Sequence, residues 1–262
     1  MRHLFVDIAN QVATLSLNHP PQNRLAEQMI GELEDALTTV GQSDARAVLL
    51  RAEGPDFCFG GDILPWDGMP KSALRSLFER YMNAFNRFER LPLPVIAAVQ
   101  GLCFGGGLEL ALRADIVFAA QSARFGHPEQ TLGLATMLGG IYRVAELAGR
   151  FRAAEWAFTS EQVPAATMER FCVVNRVVPD AKLLDEAHSF ALKLAKGPTR
   201  AHVAHKALLR IWAVGGIDTA DQAMFDIAMP LFDTEDAIDG LASAIKAAKA
   251  GEARPAVDFK GC

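Results

Sequence analysis

The stretch PVIAAVQGLCFGGGLELALRADIVFAA, Pro94 to Ala120, decides how the rest of the chain is read. Its spacing predicts a buried strand (Val95 to Val99), a glycine-rich turn, a short helix and a second buried strand (Ile116 to Ala119). Pro94 starts the first strand, where a missing N–H is tolerated. Gly105, Gly106 and Gly107 carry no Cβ, so the backbone there can turn tightly and approach a ligand or another strand. A helix beginning at this point leaves its first N–H groups without partners, which suits an oxygen carrying negative charge. Glu109 then places a carboxylate inside an apolar helical turn. Close helix–sheet packing accounts for three glycines equally well, so this stretch alone leaves both readings open.

Nucleotide readings of these glycines fail. A dinucleotide fingerprint needs a third glycine at position 110, which is Leu110, and a P-loop needs a lysine where Gly107 stands. Composition narrows the classes further. The chain has 262 residues, half of them hydrophobic and 22% charged, with a net charge of −5. That is globular composition with no electrostatic footprint for nucleic acid. No apolar run reaches membrane-spanning length, and Met1-Arg2-His3 leads directly into a strand, so neither a membrane partner nor a targeting segment is expected. Cys58, Cys103, Cys172 and Cys262 form no CxxC pair, which fits reduced thiols and a cytoplasmic location.

Outward from the central stretch, Leu4 to Ile8 and Val12 to Leu17 are expected to form a hairpin, followed by an amphipathic helix from Ala26 to Val40 and a buried strand from Ala47 to Arg51. Asp56-Phe-Cys-Phe-Gly-Gly-Asp62-Ile63 leads into the expected start of a helix, and a clear helix covers Ala73 to Glu89. An extended segment from Ala123 ends at Glu129, and a glycine-bearing loop from Gly133 to Gly140 precedes a helix at Ile141 to Leu147. Short helices at Phe151 to Thr159 and Ala165 to Phe171 and a strand at Val173 to Val178 complete the core. Only helix is expected after Asp180, with pieces at Val203 to Trp212, Asp221 to Met229 and Asp236 to Ala250. The fold class is α/β, repeated strand-strand-helix units followed by a helical tail.

Three motifs in this order resemble the crotonase superfamily, the enoyl-CoA hydratase/isomerase family, over essentially the whole chain. Gly54-Pro-Asp-Phe-Cys-Phe-Gly-Gly61-Asp62-Ile63 is similar to the family's GxxFxAGxDI. Gly101-Leu-Cys-Phe-Gly-Gly-Gly-Leu-Glu109-Leu, with Ala114-Asp115 beyond it, is similar to GxxxGGGxEL…xD. The third is Phe125-Gly-His-Pro-Glu129, Gly133, Gly139-Gly140 and Arg143. The resemblance implies a crotonase-like spiral of β-β-α units, a catalytic core over residues 1–195, and a helical region over 196–262 for pocket closure and trimerisation. It implies an acyl-CoA thioester as substrate and partner, coenzyme A entering only as part of that substrate, no other cofactor and no metal. A homotrimer or dimer of trimers is the implied assembly, and fatty acid metabolism the implied setting.

The resemblance also implies roles. The backbone N–H groups of Gly61 and Gly106 would form an oxyanion hole, where preorganised donors meet charge developing on a thioester oxygen. Glu109 and Glu129 match the two glutamates of hydratases: Glu109 takes a proton from the attacking water and Glu129 delivers one to Cα. Arg24, Phe59, Gly60, Asp62, Ile63, Gly105, His127, Met137 and Gly139 are the implied substrate-binding positions. Two departures stand out. Thr136 and Met137 replace a proline and a glycine of the hydratase loop, and Pro55 and Leu64 occupy positions that are often lysine. Arg24, Lys246, Lys249 and Lys260 are left as candidates for the CoA phosphates. An isomerase using one glutamate is the first rival and a non-catalytic acyl-CoA-binding protein the second; a serine hydrolase lacks its GxSxG elbow here.

Overall fold

A computed structural model describes residues 2–262. β1 (Leu4–Ala9) and β2 (Val12–Leu17) form the expected antiparallel hairpin, and α1 (Glu27–Gly41) buries Met29, Ile30, Leu33, Leu37 and Val40 along one stripe. β3 (Ala47–Ala52) pairs parallel with β2. The helix expected after Ile63 is only a 3-10 turn (Leu64–Trp66), since Pro65 and Gly68 interrupt it; α2 (Lys71–Glu89) follows. β4 (Val95–Val99) is buried at every position, as a strand covered on both faces must be.

After β4 the chain leaves the first sheet. β5 (Leu102–Phe104) lies within what the sequence reads as a turn, because three residues carry no visible period. α3 (Gly106–Ala111), β6 (Ile116–Ala120) and β7 (Arg124–Gly126) come next, then a 3-10 turn (Pro128–Leu132). α4 (Gly140–Ala148), α5 (Arg150–Thr159), β8 (Val163–Pro164), α6 (Ala165–Arg170) and β9 (Arg176–Val178) complete the core. β9 is shorter than its apolar run, since Val173 and Val174 are buried outside the sheet.

Two sheets result. The larger has the order β1-β2-β3-β4-β6-β9 and the smaller β5-β7-β8. Every pair in the larger sheet except the hairpin is parallel. A parallel bridge between Cys58 and Cys103 adds the Phe57–Phe59 stretch to the edge of the smaller sheet. Successive units thus send one strand to each sheet, and the crossings bring residues 58–61, 104–109 and 126–129 together. α7 (Leu183–Ala195) covers the larger sheet through Leu183, Ala187, Ala191 and Ala195, whose small side chains let it lie close.

Beyond Ala195 the two helices expected near residues 203–229 are both present, as the two arms of α8 (Thr199–Ala228) on either side of a non-helical kink at Gly216, whose φ is +77°. α9 (Glu235–Ala250) follows. The tail is tied back to the core by polar contacts. Arg46, almost fully buried, donates to the Gly197 and Phe259 carbonyls and to Thr199 Oγ1, while Lys206 pairs with Asp115 at 2.8 Å. Among the described residues no helix is long and apolar enough to cross a membrane.

Candidate active site

Each residue of the glycine triplet has its own physical reason. Gly105 has φ +51°, and a Cβ there would stand 3.1 Å from Glu129 Oε1. Gly107 lies so near the Cys58 carbonyl that any side chain would collide with that backbone. Between them, Gly106 is the first residue of α3, so its N–H has no partner within the helix. Close packing therefore accounts for Gly105 and Gly107, and it leaves the Gly106 N–H open.

The matching donor comes from the loop before α2. Leu25 N–H donates to the Gly60 carbonyl at 2.8 Å and Asp62 N–H to the Leu25 carbonyl at 3.1 Å, so the intervening Gly61 N–H points away from that bridge. A Cβ on Gly106 would lie 3.7 Å from the Gly61 nitrogen, so the two glycines are close neighbours. Among the described residues neither has an acceptor. Both residues are half-buried, so their N–H groups are accessible to a ligand oxygen as well as to solvent.

These groups open on a cavity of about 210 Å³. Arg24, Phe59, Gly60, Gly61, Ile63, Gly105, Gly106, Glu109, Glu129 and Met137, all singled out from the sequence, are on its wall. Asp62, His127 and Gly139 are not. Asp62 caps the following turn through Leu64 N–H, and Gly139 precedes α4 with φ +91°. His127 is 3% exposed behind Glu129, its Nδ1 4.0 Å from Glu129 Oε2. Trp66, Phe78, Tyr81, Leu134 and Leu138 complete an apolar wall that the motifs do not announce. Phe78 and Tyr81 sit three apart on α2, a signal that also fits an ordinary core helix.

The two carboxylates differ in surroundings. Glu109 is 2% exposed, and its Oε1 accepts the N–H groups of Leu138 (2.8 Å) and Gly140 (2.9 Å). Burial raises its pKa, opposed by those two donors and by Arg113 and Arg143. Glu129 Oε2 is buried without a partner among the described residues. Burial, with the nearby Glu109 charge, pushes Glu129 up to about 7. The His127 imidazole is driven down to about 4 by burial, so it faces Glu129 uncharged. Two carboxylates in such different surroundings have their titrations pushed apart, which is the condition for one to take a proton and the other to give one.

The remaining candidates lie elsewhere. Arg24 stands at the cavity mouth with its guanidinium 4.6 Å from the centre of the Phe59 ring. Lys246 and Lys249 are exposed on α9, and Lys260 pairs with Glu235 at 2.8 Å. Met137 is half-exposed on the cavity wall, and Thr136 Oγ1 accepts the Ile141 N–H at 3.4 Å, closing the loop that carries Leu138.

Comparison with known proteins identifies the family. The family model for Enoyl-CoA hydratase/isomerase matches residues 7–232. A probable enoyl-CoA hydratase of Rhizobium meliloti is 31% identical, with 94% of this chain and 96% of that protein covered. A 1,2-epoxyphenylacetyl-CoA isomerase of Escherichia coli is 35% identical over 76% of this chain and 78% of its own length. The solved structure of an enoyl-CoA hydratase from Bacillus anthracis superposes with a TM-score of 0.90 at 31% identity, covering 99% of this chain and all of that one. With the spiral of two sheets and the motifs at one cavity, the chain belongs to the enoyl-CoA hydratase/isomerase family and has the crotonase fold.

Proposed function

We propose that this protein hydrates a 2-enoyl-CoA thioester to the 3-hydroxyacyl-CoA. The observation that carries the reading is the opening of two unpaired backbone N–H groups and two differently poised carboxylates on one apolar cavity. The thioester oxygen takes the N–H groups of Gly61 and Gly106, which meet the negative charge as the enolate forms; one such donor is worth about 2.7–4 kcal/mol. Glu109, held by two donors, removes a proton from the water as its oxygen bonds to Cβ. Glu129, protonated up to about pH 7, gives its proton to Cα. The net change is addition of water across the double bond, and one proton exchange with solvent resets the pair.

The apolar wall takes the acyl chain, and Arg24 at the mouth is the basic group nearest the expected path of the CoA phosphates. Coenzyme A enters as part of the substrate, with no separate cofactor. Residues 196–262 serve oligomerisation, as a homotrimer or dimer of trimers. Within one chain no residue of that region is on the cavity wall, so any closure it provides falls to a neighbouring copy. Fatty acid breakdown or synthesis in the cytoplasm is the setting that fits such a reaction.

Incubation with a short trans-2-enoyl-CoA, followed by loss of the conjugated thioester absorbance, tests the reading; no loss at any chain length overturns it. The second reading is double-bond or epoxide isomerisation, favoured by Met137, which stands on the cavity wall where the hydratase loop has a glycine. Turnover of a 3-enoyl-CoA without hydration would select it.

A further inference from the structure

Arg113 is the largest fully buried side chain, with no solvent exposure, and the proposed reaction does not touch it. Its guanidinium is held by Asn86 Oδ1 at 2.6 Å and Glu89 Oε2 at 2.7 Å, both on α2. The remaining arm donates to the Leu138 carbonyl at 2.7 Å. Leu138 is therefore pinned at both ends: its N–H goes to Glu109 Oε1 and its carbonyl to Arg113. Glu89 also takes Arg143 of α4 through both carboxylate oxygens, at 2.9 and 2.8 Å. A buried cation is costly unless it is paired, and one whose free arm ends on the loop that holds a reacting carboxylate has a task there.

We propose that Arg113 is a positioning residue for Glu109, locking the 138–140 loop so that its N–H groups keep the carboxylate oriented and hydrogen-bonded. The inference rests on the hydratase reading for its kinetic consequence but not for its physical one. The planar fork explains the residue type, since three acceptors at fixed angles suit a guanidinium and not an ammonium. The charged and titratable groups around Glu109 are Arg113 beyond its own helix, Glu89 on α2, Arg143 and Tyr142 on α4, and His127 and Glu129 after β7. Arg113 and Arg143 are the cations among them, and Glu89 joins the two.

The test uses full-length protein with ¹³C-labelled glutamate, the Glu109 signal being assigned by its loss in Glu109→Gln. In Arg113→Lys the Glu109 titration midpoint should rise by about one unit, because its donors are no longer fixed. In the same variant kcat on a 2-enoyl-CoA should fall roughly 10–100-fold with KM little changed, and the acid limb of the pH–rate profile should move up with the midpoint. Asn86→Ala, which loosens the same guanidinium from a half-buried position, should shift both in the same direction by less. It decides the matter if Arg113→Lys does not fold. An unmoved midpoint in a variant that still melts cooperatively overturns the proposal. Absence of turnover in the parent protein overturns the hydratase reading instead, and the carboxylate titration still decides the role of Arg113.

Discussion

Glu109 accepts two backbone N–H groups, whereas Glu129 leaves one oxygen buried and unpartnered beside a neutral His127. The proposed reaction gives these two carboxylates opposite tasks, and a pH dependence follows from it. With Glu129 as the proton donor, kcat/KM on a 2-enoyl-CoA should fall as pH rises through about 7. Glu109→Gln and Glu129→Gln should each lower turnover by about 10²–10⁴-fold, checked by the same absorbance assay. Stability carries the same sign. The folded Glu129 value is raised from 4.5, so its stabilising contribution is full below 4.5 and lost as pH rises through about 7. His127 runs the other way: its folded value is depressed from 6.5 to about 4, so its contribution holds above 6.5 and is lost as pH falls through about 4. Melting curves at pH 4.5 and 8 should show Glu129→Gln gaining a few degrees on the parent only at the higher pH.

At the scale of elements, α2 is the piece the motifs underrate. Its apolar stripe reads as core, and Phe85 and Phe88 are core, yet the same helix lines the cavity with Phe78 and Tyr81 and anchors Arg113 with Asn86 and Glu89. Tyr81 Oη donates to the Leu25 carbonyl at 2.8 Å, and Leu25 in turn covers Gly106 and bridges Gly60 to Asp62. Tyr81→Phe should therefore cost about 0.5–1.5 kcal/mol of stability by denaturant titration, from one buried hydrogen bond lost. The strand β5 shows why short elements escape a reading of periodicity. Three residues pair with β7 only because the spiral brings them alongside, and no local pattern announces the partner.

For the whole molecule, polar clamps rather than a shared core join the tail to the rest. Arg46 reaches Gly197, Thr199 and Phe259, and Lys206 reaches Asp115 and the Leu93 carbonyl at 2.8 and 3.1 Å. Arg46→Met leaves the Gly197 and Phe259 carbonyls without their charged donor and should destabilise the chain by about 1.5–3 kcal/mol, read as a lower denaturation midpoint with the active-site cavity intact. Exposed Trp212, Val214, Ile217, Phe225 and Ile238 on α8 and α9 make an apolar tail surface that suits association, and the proposed trimer or dimer of trimers should give a sedimentation mass near three or six chains. The sequence by itself determined the fold class, the glycine signatures and the identity of the two glutamates. Backbone close approach demands glycine, and a carboxylate in an apolar turn is visible without neighbours. Only the tertiary structure decided that Asp62, His127 and Gly139 stand off the cavity wall and that Arg113 grips the loop beneath Glu109. Those facts depend on residues far apart in the chain meeting across a spiral of strands, and no local spacing encodes such a meeting.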